Sequence, residues 1–164
     1  MKNLSFLWTD GTNPDFYKFY LETENYYSQL VGGACNRDGF IPHNLSESIS
    51  TVLLAYCNDK PVGCAGLKPY SETDIEIKRV WVDSEYRGKH IASAMLDLLE
   101  EKARNMNYKR TILQTRPLMT DAVNLYQNRS YDLIANYPPY DKLDGAICMS
   151  KDLISDDIKG QKYD

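Results

Sequence analysis

The chain is 164 residues long and has no apolar stretch near the roughly 18–20 uncharged residues that a membrane span requires. Residues that build metal centres and disulfide frameworks are also scarce. With 2 histidines, 4 cysteines, no C-x-x-C pair and no metal-type spacing between His43 and His90, no metal is expected. Cys35, Cys57, Cys64 and Cys148 read as reduced, structural thiols. Positive charge is not in excess: 19 Lys and Arg stand against 23 Asp and Glu, a formal charge of −4, and the basic residues are scattered. That excludes the clustered cationic footprint of a nucleic-acid binder. The N-terminal run Met1–Trp8 carries one positive charge and a short apolar segment, with Asp10 soon after, so it lacks the layout of a secretory signal. A soluble, cytoplasmic protein with no membrane partner is expected.

What is present is globular. Hydrophobic residues make up 43% and charged residues 26%, enough apolar material for one core in a chain whose length suits one domain. Residues 1–154 are expected to form that domain and the polar run 155–164 a fraying tail. Leu4 to Trp8 reads as a short strand. Asn13-Pro14-Asp15 then supplies an N-cap, a proline at the first helical position and an acid in the first turn. Phe16, Phe19, Tyr20, Tyr26, Tyr27 and Leu30 follow at helical spacing until Gly32-Gly33. From Ala34 to Ser50 the chain is polar and broken by Gly39 and Pro42, a loop with room for a short helix near Leu45 to Ile49. Thr51 to Cys57 and Val62 to Lys68 are strand-like runs joined by the hairpin chemistry of Asn58-Asp59-Lys60-Pro61, and Asp74 to Val82 is a third. The next helix places Ile91, Met95, Leu98, Leu99 and Met106 on one stripe, with Glu100, Glu101, Lys102 and Arg104 mostly elsewhere. A strand at Arg110 to Thr115, a helix at Thr120 to Arg129 and strands at Tyr131 to Ala135 and Ala146 to Lys151 complete a mixed α/β domain.

Two local features point to a ligand. Side chains alternate faces along a strand, yet in Asp74 to Val82 the apolar residues switch from odd positions, Ile75 and Ile77, to even ones, Val80 and Val82. A β-bulge around Lys78 to Val80 would produce the switch and free backbone groups for a ligand; a strand buried on both faces, with Trp81 packed too, would also give this pattern. Beyond this strand, Arg87-Gly88-Lys89-His90 leads into the helix. A helix N-terminus offers unpaired N–H groups and the positive end of the dipole, Gly88 permits close approach, and Arg87 and Lys89 add charge. An anion site and a plain solvated connection are both compatible with that turn.

The run RVWVDSEYRGKHIASAMLDLL resembles the acetyl-CoA-binding segment of the GNAT family of N-acetyltransferases, whose signature Q/R-x-x-G-x-G/A lies between a bulged strand and a long helix. Arg87 fills the first position and Ala92 the last, while His90 stands where the central glycine usually lies. DAVNLYQNRSY is similar to the family's later helix, except that Ser130 replaces a glycine before the aromatic Tyr131, and Met119 stands where many members carry asparagine. The resemblance covers Thr51 to Leu153. It implies a GNAT-like fold, a mostly antiparallel mixed sheet of about six to seven strands with about four helices, with acetyl-CoA between splayed central strands. It further implies that the backbone of Val80, Trp81 and Val82 holds the pantetheine arm and acetyl carbonyl. Arg87, Gly88, Lys89, His90, Ile91, Ala92 and Ser93 would hold the pyrophosphate.

The activity so implied is direct transfer of acetyl from acetyl-CoA to a primary amine of a small molecule or peptide, in a ternary complex. An amine near the lysine pKa of ~10.4 must lose a proton before attack, and the thiolate gains from receiving one. Glu76 lies where several GNAT members place a glutamate base; otherwise it is a surface carboxylate paired with Lys78. Tyr126 lies where the family often places a tyrosine acid; otherwise it packs in the core. Tyr137 and Tyr140 flank Pro138-Pro139 and would rim an acceptor pocket, together with the first helix and the His43 loop, or cover a sheet edge or a homodimer contact. The alternative function is a catalytically weak acyl-CoA-binding sensor of the same fold, with His90 and Met119 weakening cofactor use.

Overall fold

The computed structural model describes residues 3–33 and 46–153; Cys35, His43 and the tail from Ser155 lie outside these described residues. The described residues form two compact units, one of residues 3–33, 46–68 and Ile77–Leu99, the other of Pro69–Glu76 and residues 100–153. Its elements are β1 (Leu4–Thr9), α1 (Pro14–Leu30), β2 (Thr51–Cys57), β3 (Lys60–Pro69), β4 (Asp74–Val82), α2 (Ile91–Asn105), β5 (Arg110–Thr115), α3 (Thr120–Asn128), β6 (Asp132–Ile134) and β7 (Ile147–Asp152). The strands form one mixed sheet in the order β1-β2-β3-β4-β5-β7-β6. Pairs β1/β2, β2/β3, β5/β7 and β6/β7 are antiparallel, and β4/β5 is parallel. Three α-helices occur among the described residues rather than about four, because the described end of the polar segment before β2 forms only a 3-10 turn at Ser46–Ser48. None of the described helices is long and apolar enough to cross a membrane.

In the first unit α1 starts as its sequence dictates. The Asn13 side chain accepts from the amides of Asp15 (2.8 Å) and Phe16 (3.4 Å), satisfying donors that a helix start leaves orphaned, with Pro14 next to it. The apolar side of α1 sends Phe16 and Phe19 into a core with Ile49, Val52, Leu54 and Cys64, against which Tyr56 and Trp81 pack. The β2–β3 hairpin closes on two residues, Asn58 and Asp59, both left-handed at φ 51° and 66°. Lys60 and Pro61, expected in the turn, already belong to β3, because two positive-φ residues match strand twist without further length. In β4 the backbone becomes left-handed at Arg79 (φ 57°), between the odd-numbered and even-numbered apolar sets.

The second unit holds the opening of β4 against β5 through Asp74↔Arg110, Ile75↔Thr111 and Glu76↔Ile112. Arg110 and Asp74 reinforce the first of these pairs through two side-chain hydrogen bonds, at 3.2 and 2.8 Å. The apolar stripe of α2 differs from the expected one. Ile91, Met95, Leu96, Leu99 and Ala103 are buried, whereas Met106 lies one residue past the helix end and is exposed. Glu100, assigned to the polar side, is buried because a ring of donors in the second unit meets it.

Candidate active site

In the first unit, the turn before α2 contains two left-handed residues, Gly88 (φ 76°) and His90 (φ 62°). The His90 carbonyl accepts the first helical bond, from Ala94 N at 3.0 Å, so the amides of Ile91, Ala92 and Ser93 precede the first N–H that the helix itself satisfies. A Cβ placed on Gly88 would meet nothing within 4 Å, so the backbone there is open to approach. Left-handed geometry at position 90 explains why glycine suits it, and histidine is among the few side chains enriched in that conformation. Lys89 lies over the Tyr86 ring at 5.3 Å. Arg87 folds back: its Nε donates to the Val82 carbonyl at 2.9 Å, and its guanidinium stacks over Trp81 at 4.7 Å. This set of backbone donors and two cations fits a pyrophosphate.

The β4 segment leading into that turn is fixed from several sides. The buried Arg79 guanidinium donates to Thr23 Oγ1 (2.9 Å) and pairs with Glu24, and it lies over the rings of Tyr20 (4.7 Å) and Tyr27 (5.5 Å). Its carbonyl accepts from the Cys64 thiol at 3.3 Å. Burial pushes that thiol's pKa well above its ordinary value, so Cys64 stays protonated and is no nucleophile. Trp81 packs edge-on against Tyr27 and tilted against Tyr26, and its buried Nε1 has no hydrogen-bond partner among the described residues. A Cβ at Gly63 would meet the Trp81 carbonyl at 3.0 Å, a tight contact that glycine avoids where β3 meets β4.

The second unit gathers the other candidates. Glu76 and Lys78 are 5% and 7% exposed, so the reading of Glu76 as half of a surface ion pair is excluded by burial. The Glu76 carboxylate accepts from the Tyr137 hydroxyl at 2.6 Å, the short length of a charge-assisted bond. Burial, and then the Glu76 charge, hold the Tyr137 pKa far above its ordinary value. The Tyr137 ring stands edge-on to Tyr70 (5.0 Å) and Tyr140 (5.5 Å), and the Tyr70 hydroxyl donates to the Pro138 carbonyl at 2.8 Å. Tyr140 is 1% exposed, so it packs inside against Tyr137 rather than presenting a surface. Tyr70 was missed by sequence reasoning, because a tyrosine between strands carries no periodic signal.

Tyr126 is buried on α3, edge-on to Tyr131 at 5.6 Å. Tyr131 shares a hydrogen bond with Thr111 (2.9 Å) and donates to Glu100 (3.0 Å), which also accepts from Lys151 (2.8 Å) and Arg129 (3.5 Å). Burial and the Glu100 charge raise the Tyr131 pKa well above its ordinary value, so it remains a neutral donor. A buried carboxylate with that many donors is compensated rather than stranded. Glu100 carried no sequence signal beyond a charged residue in a helix.

The sequence profile of the Acetyltransferase (GNAT) family matches residues 6–131. This chain belongs to the GNAT acetyltransferase family. Over 92 residues, 53% of its length, it is 32% identical to N-acetyltransferase 8B of Homo sapiens, covering 40% of that protein. It is 33% identical over 76 residues, 44% of its length, to YjgM, an uncharacterized N-acetyltransferase of Escherichia coli K12, covering 46% of it. The chain thus spans less than half the length of these GNAT relatives. A GNAT acetyltransferase of Elizabethkingia anophelis, solved with acetyl-CoA bound, superposes with a TM-score of 0.67 at 22% identity over 93% of this chain and 99% of its own. A GNAT acetyltransferase of Staphylococcus aureus Mu50 gives 0.70 at 21% identity, over 91% of this chain and 99% of its own.

Proposed function

We propose that this GNAT protein transfers the acetyl group of acetyl-CoA directly to a primary amine of a small molecule or peptide, in a ternary complex. The observation that carries the reading is the α2 turn, where left-handed Gly88 and His90 precede amides the helix does not itself satisfy, flanked by Arg87 and Lys89. The Val80–Val82 backbone takes the pantetheine arm and acetyl carbonyl, and the 87–93 turn takes the pyrophosphate. Acetyl-CoA supplies a thioester whose carbonyl carbon accepts the amine. Glu76 receives the ammonium proton, Tyr126 donates to the departing sulfur, and a β4 amide near Trp81 stabilises developing negative charge on oxygen. Tyr137, seated on Tyr140, faces the acceptor. Direct transfer is favoured because Cys57, Cys64 and Cys148 are all buried.

Calorimetric titration with acetyl-CoA and CoA tests the cofactor site, followed by assay of the bound protein against amines. Micromolar or tighter binding with acetyl transfer is the expected result. Binding without transfer to any amine would favour the sensor reading. Absence of binding, in both the protein and its His90→Gly variant, would overturn the assignment of the turn.

A further inference from the structure

We propose that Tyr137 is a catalytic proton relay, its hydroxyl taking the proton of the acceptor's ammonium group while passing its own to Glu76. This rests on the transfer reading above and adds a step that the reading leaves open. Glu76 is buried, and one of its oxygens is engaged by the Tyr137 hydroxyl at 2.6 Å. The more accessible member of the pair is therefore the tyrosine. A carboxylate in that position receives an incoming proton most directly through the hydrogen bond it already makes.

The tyrosine is held for this task. Its ring is flanked edge-on by Tyr70 and by the buried Tyr140, and the Tyr70 hydroxyl fastens the adjoining loop through the Pro138 carbonyl. Such fixation suits a relay, which needs its oxygen placed to within a fraction of an ångström. Tyr137 cannot act alone, because burial and the neighbouring carboxylate keep its phenol protonated at neutral pH. It accepts a proton only while yielding one, and Glu76 is the group that receives it.

The step balances. The ammonium N–H bond breaks as a bond to Tyr137 Oη forms; the existing Tyr137 O–H bond breaks as one to Glu76 Oε2 forms. The freed nitrogen lone pair makes the C–N bond, and the thioester C–S bond breaks with its electrons on sulfur. The sulfur takes its proton from Tyr126, and the second proton lost by the amine restores that phenol. One proton in net leaves through Glu76, and the tyrosine is restored unchanged.

The test uses the full chain with acetyl-CoA and three amine probes, spermidine, tyramine and an alanine-headed tetrapeptide, in wild type, Tyr137→Phe, Glu76→Gln and the double variant. Each single variant is expected to lose ~10² in kcat with the amine KM changed less than about twofold, the double variant losing no more than either. The solvent isotope effect on kcat should shrink in Tyr137→Phe. Independently of turnover, proton NMR of the unliganded protein should show a downfield, slowly exchanging hydroxyl proton that Tyr137→Phe removes. Wild-type kcat in Tyr137→Phe, a rise in KM alone, losses that multiply in the double variant, or no such proton signal would each overturn the relay while leaving acetyl transfer standing. A wild type that binds acetyl-CoA yet acetylates none of the probes overturns the transfer reading and the relay with it.

Discussion

His90 and Ser130 hold left-handed backbone, φ 62° and 71°, at the two positions where the GNAT pattern carries glycine. For a residue with a Cβ that conformation costs roughly 1–2 kcal/mol, less for residues whose side chains bond locally. Ser130 sits just after α3, with its amide on the Gln127 carbonyl and the next amide on Tyr126, the helix-ending geometry that glycine suits. Ser130→Gly is expected to raise stability by about 1 kcal/mol, read as a higher urea midpoint at unchanged slope. A lower midpoint would show that the serine contributes something its backbone does not reveal. The departures themselves were legible only through the resemblance to the GNAT pattern, which carries glycine at both positions. Glu76 was legible only as a choice between base and surface pair, since nothing in D-I-E-I-K states that Glu76 and Lys78 are both buried.

At the scale of elements, α3 has a weak start. Met119 occupies its N-cap with no side-chain cap bond, although its carbonyl receives Val123 N at 3.0 Å. Met119→Asn should satisfy an orphan amide and stabilise by ~1 kcal/mol, measured by denaturant titration; an unchanged midpoint would show that those amides already have partners. Strands and helices were read nearly in full because β-branched runs, the Asn13 cap and the spacing of α2 are local signals. The change of parity in β4 left a bulge around Lys78 to Val80 and a strand buried on both faces both open, and the backbone turns left-handed within that stretch, at Arg79. The rotation of the α2 stripe toward Leu96, Ala103 and Glu100 was not legible, since partners for Glu100 come from the segment after α3 and from β7, far along the chain. The Tyr70–Tyr137 contact escaped for the same reason.

For the whole molecule, phenols raised by burial make stability depend on alkaline pH. Tyr56 donates to Asp15 at 2.7 Å, and burial with that carboxylate pushes its pKa up to about 12, while burial and a neighbouring carboxylate raise Tyr131 and Tyr137 well above the ordinary phenol value. An unfolded tyrosine titrates near ~10, so between that value and the folded one the unfolded chain holds fewer protons, and stability falls as pH rises. The contribution is complete below pH ~10 and lost as the folded groups ionise. Denaturant midpoints measured from pH ~8 to ~11 should hold steady and then drop, with a smaller drop in Tyr56→Phe. An identical drop in that variant would remove Tyr56 from the account.

Neither compact unit is a continuous stretch of chain, because the boundaries fall inside β3, after Lys68, inside β4, after Glu76, and inside α2, after Leu99. During synthesis the first unit lacks its closing pieces until Leu99 has been made, while Pro69–Glu76, already made, must wait for β5 before its parallel partner exists. Folding is thus ordered in time, with an early N-terminal assembly carrying a strand end that finds its register last. Nascent chains arrested soon after Leu99 has left the ribosome should already protect the β1–β3 amides, whereas those β4 amides among 74–76 that face β5 gain protection only once Ile112 has emerged.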